Sequence, residues 1–262
     1  MQLSEKNYKR IVVKVGSSLF CSADGTLEEG VLENFTRQIS ALFKQGKEVI
    51  VVSSGAIAMG MHVLGMKKRP KDLASLQAAA AVGQNELMHV YRKFFGKGWF
   101  GGQILLTRDD FNDRKRYLNA RHTIEALLKK RNYRVQGVVP IINENDTVAT
   151  DEIKFGDNDR LSAMTAVLVC ADLLVILSDV DGLLDENKKV VRKVYEITPA
   201  IKAMASPTKK QTSVGGMITK IEAAKIAADS GIPCVIANGR KKNIILSVVK
   251  TPEKCGTLFV PK

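Results

Sequence analysis

The chain has little with which to build metal or thiol chemistry. Its four cysteines, Cys21, Cys170, Cys234 and Cys255, are far apart and form no Cys-x-x-Cys pair. Its three histidines, His62, His89 and His122, are scattered, so no zinc-ligand spacing arises. Widely spaced thiols read as reduced cysteines of a cytoplasmic protein, and Cys170 and Cys234, inside apolar runs, read as small core residues. Long hydrophobic runs are missing too. The most apolar window, residues 163–177, contains Asp172 and is shorter than the ~20 residues of a membrane helix. The polar start MQLSEKNYKR has no apolar signal-peptide core. There is no G-x-x-x-x-G-K-[ST], which excludes a P-loop. One stretch, Gly96-Lys97-Gly98-Trp99-Phe100-Gly101, spells G-x-G-x-x-G. It follows a helical pattern and precedes a strand pattern, the reverse of the dinucleotide-binding context, and reads as a helix-to-strand loop.

What is present describes a globular protein. The 262 residues are 45% hydrophobic and 26% charged, enough for a core in one large domain or two small ones. Lys and Arg number 40 against 27 Asp and Glu, a net charge of +13. Such a balance suits an anionic partner, either nucleic acid or a phosphorylated small molecule. The basic clusters carry no interleaved aromatics and read mostly as solvated surface.

Strand and helix patterns alternate along the chain. Strands are expected at 10–15, 48–52, 102–106, 135–142, 173–177, 233–237 and 256–260, the fourth broken at Pro140. Helices are expected at 31–45, 73–95 (one or two), 119–130, 161–170 and 216–230. Alternation of this kind predicts parallel crossovers and a sheet buried on both faces. A soft lobe boundary falls near Ala171.

Ligands of such sheets bind beyond the carboxyl ends of the strands. Five loops qualify: 16–18, 53–56, 143–159, 178–182 and the entry to the helix at Gly216. Lys14, among valines and two residues before Gly16, is either a snorkelling edge lysine or a cation held beside the Gly-Ser-Ser amides, which together make an anion site. Gly215-Gly216-Met217-Ile218-Thr219-Lys220 opens a helix whose N-terminus favours negative charge, with Lys220 one turn in. Two lysines, each beside a glycine-rich element at a sheet end, suggest phosphoryl transfer. Asn143-Glu144-Asn145-Asp146 and Gly156-Asp157-Asn158-Asp159 are either a solvated loop or a set of carboxylates and amides suited to an amino acid. Ser54-Gly55-Ala56 supplies a hydroxyl and amides from the neighbouring strand end.

These residues resemble the amino acid kinase family. The matching stretches are Val12-Val13-Lys14-Val15-Gly16-Ser17-Ser18, Ser53-Ser54-Gly55-Ala56-Ile57-Ala58, Ala81-Val82-Gly83-Gln84, Leu105-Leu106-Thr107-Arg108, Asn119-Ala120-Arg121, Ile142-Asn143-Glu144-Asn145-Asp146, Gly156-Asp157-Asn158-Asp159 and Gly215-Gly216-Met217 with Thr219-Lys220. The Ser-Gly-Ala-Ile-Ala and Asn-Glu-Asn-Asp stretches resemble the branch that phosphorylates glutamate.

The resemblance implies a three-layer αβα sandwich with a mainly parallel central sheet. It implies one kinase domain over 1–262, with 1–170 the glutamate-binding lobe and 171–262 the nucleotide-binding lobe. The implied reaction converts ATP and L-glutamate to ADP and L-glutamyl 5-phosphate in the cytoplasm, the first step of proline biosynthesis. An acetylglutamate-like specificity and a catalytically weak regulatory homologue are the alternatives. The resemblance assigns Lys14 and Lys220 to the transferring phosphoryl group and Asp159 to orienting them. It assigns Ser54, Gly55, Ala56, Asn143, Asp146 and Asn158 to glutamate, and Lys14, Gly16, Ser178, Asp179, Gly215, Gly216, Met217 and Lys220 to ATP. Mg²⁺ is expected on the ATP phosphates and water with no direct protein ligand, Asp157 and Asp159 being the weak candidates. A homo-oligomer (dimer or tetramer), feedback by proline and handover of the product to glutamyl phosphate reductase are also implied. The C-terminal PUA domain that many members carry is not expected, nor is a dedicated nucleic-acid-binding domain. Ser213-Val214 stands where the family often has Gly-Thr, a change that bears on ATP affinity.

The chemistry fits this inventory. A glutamate side chain, with a pKa of ~4.3, is already ionised at neutral pH. It needs no general base, and no catalytic histidine stands out. The obstacle is charge repulsion between carboxylate and phosphate, which lysines and amides offset.

Overall fold

Continuous apolar runs make the central strands. The structure, a computed structural model, describes residues 7–21, 26–132, 134–149, 157–205 and 216–261, with Asp157 described by its backbone alone. The strands are β1 (Arg10–Val15), β2 (Glu48–Ser53), β3 (Trp99–Leu106), β4 (Gly137–Glu144), β5 (Leu173–Ser178), β6 (Lys193–Val194), β7 (Cys234–Asn238) and β8 (Gly256–Phe259). In β1 and β2 every residue after the first is buried, and β5 is buried throughout. Strands covered on both faces carry such runs.

The sheet order is β3-β4-β2-β1-β5-β7-β8-β6. Pairing is parallel from β3 to β7, and β8 runs antiparallel to β7. Val15 of β1 lies in register with Ser53 of β2 and with Leu177 of β5. The carboxyl ends of three adjacent strands therefore open at one level.

The helices are α1 (Ser17–Phe20), α2 (Glu29–Lys44), α3 (Ala56–Val63), α4 (Leu73–Phe95), α5 (Arg108–Asn112), α6 (Arg114–Leu128), α7 (Asp157–Leu168), α8 (Pro199–Met204), α9 (Met217–Asp229) and α10 (Ile244–Lys250). They flank the sheet in the three-layer αβα arrangement. Helix α2 packs on β2, α4 and α10, whereas α7 packs on α9 and on β1, β4 and β5. Apolar positions of α2, among them Leu32, Phe35, Ile39, Leu42 and Phe43, are buried. That spacing is the one expected of a helix with a single apolar stripe.

Two glycines let α3 and α4 meet backbone to backbone. A Cβ on Gly60 would stand 1.8 Å from the Ala79 carbonyl oxygen, and one on Gly83 would stand 1.8 Å from that of Ala56. No side chain fits there, so α4 lies directly against the start of α3.

Several expectations are corrected. Pro140 does not break β4, which continues to Glu144 in register with β3. Pairing with β2 is confined to Ile141 and Ile142, so at Pro140 the strand is paired on one side only, as an edge strand is. Lys14 sits on a strand bonded on both sides rather than on an edge. Cys234 is buried, but Cys170 is exposed. The chain turns there through φ 49° as α7 ends. Helix α6 starts at Arg114 rather than near 119, because the Asp113 side chain accepts from the Arg116 amide at 2.8 Å and caps it. Residues 73–95 are one helix. Strand β3 begins at Trp99, whose ring packs edge-on to Phe43 at 5.6 Å.

Candidate active site

The site is built around one buried carboxylate. Asp159, third residue of α7, has no solvent exposure. Its Oδ1 pairs with Lys14 Nζ at 2.7 Å and its Oδ2 with Lys220 Nζ at 3.3 Å. Thr219 Oγ1 donates to Oδ2 at 2.7 Å. Lys14 comes from β1 and Lys220 from the first turn of α9, and both are buried. Burial pushes the Asp159 carboxyl up, but Lys14, Lys220 and the Thr219 hydroxyl together outweigh it and hold it below the ordinary value. Lys220 is pushed below the ordinary lysine value by burial, with neighbouring Lys14 adding to the shift and Asp159 opposing it. Two lysines share one carboxylate, so the cluster has positive charge to offer an anion.

Around this cluster the loops converge as strand register dictates. A Cβ on Gly16 would lie 3.6 Å from Lys14 Nζ, so the Gly16 backbone sits beside the lysine tip. Gly55 adopts φ 111°, a conformation glycine takes freely, and heads α3. A Cβ there would lie 3.5 Å from the Ser17 Cβ, so the Ser54-Gly55-Ala56 turn rests against the Gly-Ser-Ser turn. Ser178 ends β5, buried, and its hydroxyl donates to Asp179 Oδ1 at 3.1 Å. Gly216 and Met217 begin α9. Gly215, Ser213, Val214 and Gly156 lie outside the described residues.

The β4 end carries a second polar group. Asn143 is 2% exposed, accepts from the Glu144 amide at 3.0 Å, and donates through Nδ2 to Gln84 Oε1 at 2.8 Å. Asp146 lies in the following turn, where Val148 and Ala149 amides bond the Asn145 carbonyl. Its charge acts on half-buried Arg69 from the α3–α4 connection: burial lowers the Arg69 pKa and Asp146 opposes the shift. Asn158 Oδ1 is buried without a hydrogen-bond partner among the described residues.

A cation pair on one carboxylate, at the mouth of a parallel sheet and beside a glycine-headed helix, is phosphate-handling geometry. The family model for the amino acid kinase family matches residues 9–238. The chain belongs to the amino acid kinase family. Among the relatives of this amino acid kinase, a glutamate 5-kinase of Clostridium acetobutylicum is 47% identical, covering 98% of this chain and 96% of that protein. A glutamate 5-kinase of Caldanaerobacter subterraneus subsp. tengcongensis is 48% identical, covering 96% of this chain and 68% of that protein. A solved structure of Giardia carbamate kinase shares the fold, with a TM-score of 0.65 at 16% identity, over 98% of this chain and 100% of that one.

The structure thus brings Lys14, Gly16, Asp159, Gly216 and Lys220 into one cluster and sets Ser54, Gly55 and Ala56 beside it. Each Asp159 oxygen faces a lysine ammonium. Sequence reasoning missed Thr219, whose hydroxyl bonds Asp159, and Gln84, the partner of Asn143. Both stand inside quoted family stretches. The local signals were a threonine at the third helical position after Gly216 and a glutamine directly after Gly83 in an alanine-rich helix. No helix among the described residues is long and apolar enough to cross a membrane.

Proposed function

We propose that this amino acid kinase transfers the γ-phosphoryl group of ATP to the side-chain carboxylate of L-glutamate, giving L-glutamyl 5-phosphate and ADP in the proline pathway. The observation that carries this reading is the buried Lys14–Asp159–Lys220 cluster, supported by the glutamate 5-kinase relatives. Glutamate arrives as a carboxylate and attacks the phosphorus in line, with no proton to remove. Lys14 and Lys220 face the transferring group and offset the repulsion of the two anions. Asp159 fixes both ammonium groups before the nucleotide arrives, so little reorganisation is needed at the moment of transfer.

In this reading Ser54, Gly55, Ala56, Asn143, Asp146 and Asn158 hold the amino acid. Gly16, Ser178, Asp179, Gly215, Gly216 and Met217 hold the nucleotide. The lobes 1–170 and 171–262 divide accordingly, with the lysines at the seam. Mg²⁺ would be held by the nucleotide phosphates and water, where it would supply charge neutralisation. The chain works in the cytoplasm as a homo-oligomer, and its labile acyl phosphate passes to glutamyl phosphate reductase.

A panel of acids tests the substrate. With MgATP, ADP release is expected with L-glutamate and at background with N-acetyl-L-glutamate and L-aspartate. Faster turnover with N-acetyl-L-glutamate would overturn the assignment, because a free ammonium is what the Asp146 carboxylate is assigned to meet.

A further inference from the structure

Gln84 is a polar side chain only 8% exposed, next to Gly83 in α4. Its Oε1 accepts from Asn143 Nδ2 at 2.8 Å, and Asn143 is itself oriented by the Glu144 amide on its Oδ1. That chain of bonds fixes which way the Gln84 carboxamide faces. Its Nε2 is buried with no hydrogen-bond partner among the described residues. Most buried polar groups are paired, and a buried donor left unmade is costly. The neighbour of Gln84, Gly83, lies directly against the Ala56 backbone at the start of α3.

We propose that Gln84 is a substrate-binding residue that donates through Nε2 to the α-carboxylate of the amino acid. The inference rests on the reading of this site as an amino acid site. The strand order places β4 two positions from β1, about 10 Å away at the usual strand spacing. The side-chain carboxylate meets the phosphoryl group beside Lys14 on β1. The α end of the same molecule then reaches past β2 towards β4, where Asn143 and Gln84 stand. At that end the ammonium can only donate, so the acceptor for a buried N–H is the α-carboxylate. Asn143 and Gln84 act as a pair, the first holding the second in the donating orientation.

The test is steady-state kinetics of wild type, Gln84→Leu and Gln84→Glu on L-glutamate and on L-glutamic acid α-amide, which keeps the side-chain carboxylate. Gln84→Leu is expected to raise KM for L-glutamate on the order of ten- to a hundredfold, the loss of a bond to a charged group. Its kcat and its KM for ATP should stay within about twofold, and its preference for L-glutamate over the α-amide should shrink. Gln84→Glu keeps the acceptor for Asn143 but sets a carboxylate against a carboxylate, so it should be worse than Gln84→Leu. It also covers the case in which the leucine variant does not fold. An unchanged KM in both variants, or a glutamate variant that works like wild type, would overturn the proposal and leave Gln84 as a prop for Asn143. Wild type that turns over no L-glutamate would instead overturn the reading of the site beneath it.

Discussion

Lys220 and Asp159 are bound to each other, yet their removal has opposite consequences for the folded chain. Lys220 is held below its ordinary pKa, so the folded site disfavours its charge. Asp159 is held below its own, so the site favours its charge. Lys220→Met should therefore leave thermal stability unchanged or higher while turnover falls by about a thousandfold or more, as expected when a phosphoryl clamp is lost. Asp159→Asn leaves two buried ammonium groups facing each other, and should cost about 3–5 kcal/mol as well as activity. Denaturant midpoints and kcat for the two variants check both. The pH dependence follows from the same directions. A carboxylate with a depressed folded pKa contributes stability above its unfolded value and loses it as pH falls through the folded one. Wild type should thus lose more stability on acidification below about pH 4 than Asp159→Asn does. On the alkaline side, kcat/KM should decline below the ordinary lysine value of 10.5, with the limb moved upward in Lys220→Arg.

At the scale of elements, the close meeting of α3 and α4 sets Ala56 against Gly83, and in the proposed reading this positions the amino acid end of the site. Gly83→Ala forces a methyl into the space of the Ala56 carbonyl, 1.8 Å away. It should destabilise the fold by about 3 kcal/mol or more, as backbone-level overpacking does. Gly30→Ala, with nothing within 4 Å in the first turn of α2, should change stability by less than about 1 kcal/mol and in the favourable direction. Thermal melts of the two variants separate a contact requirement from a mere dislike of glycine in helices. The same elements show what a sequence reveals. β1, β2 and β5 were legible because a two-sided sheet demands continuous apolar runs. α2 was legible from its single apolar stripe. α3 was not, because AIAMGMHV is apolar nearly all round and short, so periodicity gives no sign of a helix. Short α5, α8 and α10, and the two-residue β6, carry too few residues to show any period. Pro140 misled because a local rule about proline cannot see that β4 lacks a second neighbour at that level.

For the whole molecule, the site is assembled from residues 14, 159 and 220, and no local pattern could bring them together. The sheet order does it, by placing β1 between β2 and β5 and setting the start of α7 and α9 over the same ends. Motif resemblance singled out the two lysines and Asp159, which the structure pairs, whereas Thr219 and Gln84 became visible only once distances were available. The proposed chemistry also belongs to this scale: in that reading one anion comes from each lobe, with the cation pair between them. Its most direct test is to trap the product. Wild type incubated with MgATP, L-glutamate and hydroxylamine should form a hydroxamate, because only an activated acyl group yields one, and Lys220→Met should form none. ATP consumed with glutamate present but without hydroxamate would contradict transfer to the carboxylate.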